Sequence, residues 1–269
     1  APLKGPAPAL LLAQNWAEGA DYSGWWVSEK LDGVRALWDG VSFVSRLGNR
    51  YMAPAWFVDG LPKGEHLDGE LFAGRGGFQA CVSIVRRYDA GKEWEKIRFR
   101  VFDLCTDTER SKPFEERQDR LKALVAPCAY AEVVEQRLVT GPGDIEAELK
   151  KMMDVGGEGL MLRQPKSPYE GKRSKTLLKV KVFIDDEAKV VAHEDGKGRH
   201  LGRMGALLCV DRSGAKFKIG TGFSDADRDS PPPVGSVVTF KYQERTNAGI
   251  PRFPVFLRLR PDVPASSFS

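Results

Sequence analysis

Helical periodicity is confined to the first two thirds of the chain, and this asymmetry rules out a single repeating architecture. Phe114, Leu121 and Leu124 share a helical face across 114–125. Ile145, Leu149, Met152 and Met153 do the same across 144–155, where Asp144 can cap the start and Gly156-Gly157 end the helix. Strand-like runs surround them at Trp25 to Glu29, Val34 to Trp38, Val41 to Arg46, Ile97 to Leu104 and Glu132 to Val139, with Asp39-Gly40 as a tight-hairpin signal. After Phe183-Ile184 the acidic Asp185-Asp186-Glu187 marks a change in character. Short strand-like runs follow at Lys189 to His193, Ala206 to Asp211, Lys216 to Gly220, Val237 to Gln243 and Phe253 to Leu259, separated by Asp195-Gly196, Ser213-Gly214 and Pro231-Pro232-Pro233. The pattern predicts an α+β domain dominated by antiparallel strands over 1–184, followed by a small all-β barrel of the OB type over 185–269.

A length of 269 residues, with 42% hydrophobic and 29% charged residues, suffices for two cores and is not the composition of a disordered chain. No window approaches the ~18 uninterrupted apolar residues of a membrane span, and Ala9 to Ala13 is too short for a signal h-region, so no membrane association is expected. The first residue is Ala1 rather than Met, which fits either a trimmed chain or a mature exported protein. Cys81, Cys105, Cys128 and Cys209 are widely spaced and there are only three histidines, so free thiols are expected and a zinc site is not.

Forty-one Lys+Arg against thirty-seven Asp+Glu leave a formal charge of +4, too little to prove a polyanionic partner. Distribution says more. Basic residues crowd 163–181 and 197–218, and acids 107–119 and 144–158. A charge run is usually a solvated face, but two basic runs can also line a phosphate-binding groove.

Glu29-Lys30-Leu31-Asp32-Gly33-Val34-Arg35 places a lysine at the end of an apolar strand, before a turn glycine and further charges. In isolation it would read as a surface hairpin turn. It is followed in order by Leu67-Asp68-Gly69-Glu70-Leu71-Phe72, Val101-Phe102-Asp103-Leu104, Glu158-Gly159-Leu160-Met161-Leu162-Arg163 and Leu177-Leu178-Lys179-Val180-Lys181, each setting charge within or beside an apolar strand. Such strands can simply face solvent. Several together point to convergence on one anionic ligand, with a nucleophilic lysine, cations for phosphates and carboxylates for a metal and a ribose.

This order of motifs resembles the nucleotidyltransferase superfamily of ATP-dependent DNA ligases, RNA ligases and mRNA capping enzymes, and within it the minimal bacterial ATP-dependent DNA ligases. The resemblance implies that Lys30 is the adenylated nucleophile, with Glu29 beside the adenine and Phe102 stacked on it. It implies that Arg35 and Arg46 contact ribose and phosphate, that Asp32, Glu70 and Glu158 are acidic ligands for Mg²⁺, with Glu70 also a ribose contact, and that Lys179 and Lys181 hold the α-phosphate. Arg163 and Arg173, with Arg258 and Arg260 of the C-terminal segment Arg252 to Asp262, are the implied phosphate or DNA contacts. Val263 stands where many ligases have a lysine.

The implied activity is sealing of nicks in double-stranded DNA: ATP adenylates Lys30, AMP passes to the 5′-phosphate, and the 3′-hydroxyl attacks. A free lysine has a pKa of ~10.4, so desolvation and nearby cations must favour the neutral amine. Also implied are a monomer, export to the periplasm as in many minimal ligases, with the cytoplasm as the alternative, and roles in DNA repair, replication and recombination. The competing readings are an RNA ligase or capping-type nucleotidyltransferase, and an inactive nucleic-acid-binding module.

Overall fold

The structure is a computed structural model describing residues 4–89 and 91–268. The chain forms two compact units, one ending at Lys181 and one beginning at Val182.

The first unit contains strands β1 (Leu12–Asn15), β2 (Trp26–Glu29), β3 (Val34–Trp38), β4 (Phe43–Ser45), β5 (Arg50–Tyr51), β6 (Leu67–Phe72), β7 (Arg98–Leu104), β8 (Ala131–Val133), β9 (Arg137–Leu138), β10 (Gly159–Arg163) and β11 (Arg173–Lys181). Its helices are α1 (Ala55–Val58), α2 (Phe78–Val85), α3 (Phe114–Val125) and α4 (Asp144–Asp154). One sheet runs β1-β11-β10-β2-β9 and the other β5-β4-β3-β6-β7-β8. Pairing is antiparallel except for β1 with β11 and β7 with β8.

Each sheet has its own core, because alternating residues turn one face inward. Val27, Leu160, Leu162, Leu178 and Val180 pack with Ile145 of α4. Ala36, Trp38, Leu67, Leu71, Phe99 and Val101 pack with Cys81 and Ile84 of α2 and Leu121 of α3. Strands β2 and β3 are consecutive yet lie in different sheets, so Lys30 to Gly33 is a crossover between the sheets. A Cβ at Gly33 would lie 2.3 Å from the Leu71 carbonyl oxygen and 2.9 Å from Glu70 Cγ, so the crossover requires glycine to pass this closely.

Two local expectations are corrected, and one helix is added. Glu132 to Val139 is two short strands, β8 beside β7 and β9 beside β2, because the chain leaves one sheet edge for the other. The cap of α4 is Gly143 in a left-handed conformation; Asp144 is the first helical residue, and its carboxylate accepts from the Thr140 N–H at 2.8 Å and from Arg137. Helix α2, two turns long and held by Cys81, Ile84 and Val85 in the core, had no counterpart in the sequence reading.

In the second unit β12 (Ile184–Asp195), β13 (Met204–Asp211), β14 (Lys216–Ile219), β15 (Val237–Tyr242) and β16 (Val255–Leu259) form one antiparallel sheet in the order β14-β13-β12-β15-β16, with α5 (Asp225–Asp229) between β14 and β15. The acidic stretch is the start of β12, where Asp185 pairs with Lys241 across the ladder. All five expected strands are present, but among the described residues no continuous ladder closes them into a barrel. One bridge, Thr221 with Val255, joins the region after β14 to β16. Val190, Leu207, Ile219, Val238 and Phe240 fill the core.

Candidate active site

The strand registers of the first sheet place the charges. Leu160 of β10 lies opposite Glu29, and the Lys30 N–H donates to the Gly159 carbonyl at 2.9 Å, so Glu158 arrives beside Lys30. Across β11, Gly159 pairs with Lys181 and Met161 with Lys179. Alternation sets these two lysines on one face of β11 while Leu178 and Val180 enter the core on the other. Lys30 Nζ lies 2.8 Å from Glu158 Oε2, and Lys181 Nζ lies 2.7 Å from Glu158 Oε1. Burial opposes the charge of Glu158, but the two ammonium groups outweigh it and hold the carboxyl below its ordinary range. Burial first, and then repulsion from Lys30, lowers both Lys179 and Lys181.

The second sheet supplies the facing wall. Arg35, opposite Glu70 in the β3–β6 ladder, donates from Nε and Nη2 to Asp68 at 2.7 and 2.6 Å and from Nη2 to the Leu11 carbonyl at 3.0 Å. Asp68 also accepts from the Tyr169 hydroxyl at 2.6 Å, which in turn accepts the Leu11 N–H at 3.1 Å. In the β6–β7 ladder Asp68 pairs with Asp103 and Gly69 with Val101, so Phe102 is the extra residue of a bulge. Its ring centroid lies 4.8 Å from the Arg35 guanidinium carbon. Glu70 accepts from the Gly33 N–H at 3.2 Å, and burial, reinforced by the charge of Glu158 and opposed by Arg35 and Lys30, raises its carboxyl to about 8.

Between these walls is a cavity of about 270 Å³. Of the residues singled out in the sequence, Glu29, Lys30, Arg35, Arg46, Glu70, Phe102, Arg163, Arg173 and Lys179 line it. Glu158 and Lys181 reach it through their ion pairs around Lys30. Asp32 is half-buried in the crossover and is not part of the lining. Among the described residues no group of three or more His, Cys, Asp or Glu converges as a preformed metal cage, so the expected trio Asp32, Glu70 and Glu158 is not assembled as one.

Arg163, expected as a phosphate or DNA contact, lines the cavity but is committed to partners in the interior. It is 6% exposed, and it donates to Asp103 at 2.8 Å and to the Ser167 hydroxyl at 3.1 Å. Asp103 also carries the fully buried Arg117, with Nε at 2.8 Å. In the second unit Arg258 is exposed on β16, while Arg260 pairs with Glu187 at 2.7 Å and with Asp262 at 2.8 Å.

Sequence reasoning gave no role to Asp68, Tyr169, Arg117 or Arg75. Asp68 had a signal, a lone carboxylate inside the apolar run Leu67 to Phe72. Arg75 holds Glu29 from a loop 46 residues away, and no local pattern marks it.

The raised Glu70 carboxyl makes a prediction for the free protein. In the unfolded chain Glu70 ionises near pH 4.5 and in the fold near 8, so its penalty is absent below 4.5, grows as pH rises between the two values and is complete above 8. Glu70→Gln should therefore raise Tm little at pH 4.5 and clearly at pH 8.5. Thermal melts at both values check this; an equal shift at both would contradict the burial account.

The chain matches the ATP dependent DNA ligase domain over residues 16–181 and the DNA ligase OB-like domain over 195–260. A DNA ligase of Haemophilus influenzae is 42% identical over 237 residues, covering 87% of this chain and 86% of that protein. A DNA ligase of Archaeoglobus fulgidus is 30% identical over 88% of this chain, which spans about half, 51%, of that longer protein. A solved structure from a structure-function study of Lig E DNA ligases and DNA binding with a minimal scaffold superposes with a TM-score of 0.86 at 43% identity, covering 93% of this chain and 98% of that one.

Proposed function

Since the chain belongs to the ATP-dependent DNA ligases, we propose that its cavity is the ATP pocket and Lys30 the residue that carries AMP. The observation that carries this assignment is Lys30 on the wall of a cationic cavity, tied through Glu158 to Lys181 and flanked by Lys179. In the first step Lys30 Nζ forms a bond to the α-phosphorus of ATP, the bond to the bridging oxygen breaks, pyrophosphate leaves and the amine gives up its proton. Glu158 positions Lys30, while Lys179, Arg46 and Arg173 present positive charge to the phosphates from the cavity wall. Arg35, held at Asp68 and stacked on Phe102, fits a ribose or base contact. AMP then passes to the 5′-phosphate of a nick in duplex DNA, and the 3′-hydroxyl displaces it.

Mg²⁺ belongs to this reading. Glu70 and Glu158 feel each other's charge, and a hard cation held by one or two carboxylates plus substrate phosphate oxygens would relieve that repulsion. When bound it offsets phosphate charge. Resemblance to the exported minimal ligases supports a periplasmic monomer acting in DNA repair, replication or recombination; cell fractionation and gel filtration test location and oligomeric state.

Duplex binding should rest on the basic runs. With Arg163 buried, Lys166, Lys172, Arg173 and Lys175 remain exposed in the first, and Lys197, Arg199, Arg212, Lys216 and Lys218 in the second. Affinity for nicked duplex should fall on the order of a thousandfold between 50 and 200 mM salt if about six phosphates are neutralised. Fluorescence anisotropy across that range checks it, and a flat salt dependence would remove these runs from the DNA interface.

A further inference from the structure

We propose that Gln136 binds the amine edge of the adenine, as the far end of a row of side chains that crosses the cavity floor to Lys179. The inference rests on the reading of the cavity as the ATP pocket and deepens it by naming a base contact.

The row follows from strand register. Ser28 of β2 lies opposite Met161 of β10, and Met161 opposite Lys179 of β11. On the other edge of β2, Trp26 pairs with Leu138 and Val27 with Arg137, so the next residue, Gln136, comes opposite Ser28. Gln136, Ser28, Met161 and Lys179 all line the cavity. Their chain neighbours turn the other way. Val27, Leu160, Leu162 and Val180 enter the core, and Arg137 reaches Asp144 and Glu148 of α4. Glu29, opposite Leu160, alternates with these and is held by Arg75 at 2.9 and 3.0 Å, which leaves the row to face the ligand.

The two ends of the row differ in chemistry. Lys179 presents a cation, and Lys30 stands two residues along β2 from Ser28, so phosphates belong at that end. At the other end Gln136 is half-buried, and its amide makes no hydrogen bond to a described residue. Three strand spacings, about 14 Å, separate β11 from β9, the scale of one nucleotide from phosphate to base edge. Met161 on the floor and Phe102 on the facing wall offer apolar surface to the flat faces of a base. A glutamine amide pairs with adenine at two points, its oxygen accepting from the N6 amine and its nitrogen donating to N7. Turned over, the same amide suits guanine, so the contact sets how tightly the base is held and not, by itself, the choice of ATP over GTP.

The test is a cycle between protein and nucleotide. Wild type, Gln136→Ala and Gln136→Glu are compared in Lys30 adenylation at low nucleotide, with ATP and with purine riboside triphosphate, which carries hydrogen in place of the N6 amine. Removing the amine should slow wild type about tenfold, and Gln136→Ala should slow adenylation by ATP by about the same factor. In Gln136→Ala, removing the amine should then cost less than about threefold, because its partner is already gone. Gln136→Glu keeps an acceptor and should remain sensitive to the amine, and it carries the comparison if circular dichroism shows that Gln136→Ala is misfolded. Additive losses, a wild type indifferent to the amine, or an insensitive Gln136→Glu would overturn the inference alone. Failure of wild type to take up either nucleotide would instead overturn the pocket reading, and the inference with it.

Discussion

Lys30→Ala should lose all covalent labelling by ATP while remaining folded and still sealing nicks that arrive already adenylated. Alanine has no amine to form the bond to phosphorus, so the first step has no substitute nucleophile, whereas the later steps use a phosphate and a hydroxyl of the DNA. The fold should survive because Lys30 contributes one ion pair at a cavity and no core packing. Its backbone bond to Gly159, which continues the β2–β10 ladder, does not depend on the side chain. Labelling on denaturing gels, circular dichroism and a pre-adenylated nick assay test the three parts separately. Retained labelling would remove Lys30 from its role.

The second large effect is expected at Glu158. Its two oxygens hold Lys30 and Lys181 from either side. Glu158→Ala leaves two neighbouring ammonium groups without the carboxylate that places them and removes one of the two acids suited to Mg²⁺. Adenylation at saturating ATP should slow on the order of a hundredfold or more, the scale of losing a preorganised electrostatic contact. Glu158→Gln keeps shape and one acceptor but not the charge, and should recover only part of the loss. Single-turnover rates for both variants check this; a loss below about threefold in Glu158→Ala would mean that Lys30 needs no such support.

What the sequence made legible follows from period and order. Val34 to Trp38 is a strand with those bounds, and Phe114 to Val125 a helix with those bounds, because each has a clear apolar face. Lys179 and Lys181 share a face because Leu-Leu-Lys-Val-Lys alternates, and strand alternation survives tertiary context. The convergence of Lys30, Arg35, Glu70 and Phe102 came from the order of motifs, and the two-sheet crossover shows why that order converges.

Partners distant in the chain were not legible. Arg163 reads as a cation after an apolar strand, and nothing local announces that Asp103, 60 residues away, neutralises it in the interior. Arg75 and Glu29, 46 residues apart, pair for reasons visible only once the β6–α2 loop is placed. Helix α2 escaped because two turns give too little periodicity. Asp32, Glu70 and Glu158 are not gathered into one cluster among the described residues, and a cation that takes few protein carboxylates would need no such cluster.

A covalent nucleotide at one lysine is the central expectation for this protein. Purified protein incubated with α-labelled ATP or GTP and Mg²⁺, run on a denaturing gel and mapped by peptide mass spectrometry, measures it directly. The predicted result is label from ATP, far less from GTP, with AMP on the peptide containing Lys30 and loss of the label when pyrophosphate or a nicked duplex is added. Label from GTP in preference to ATP, AMP on another lysine, or no label at all would contradict it.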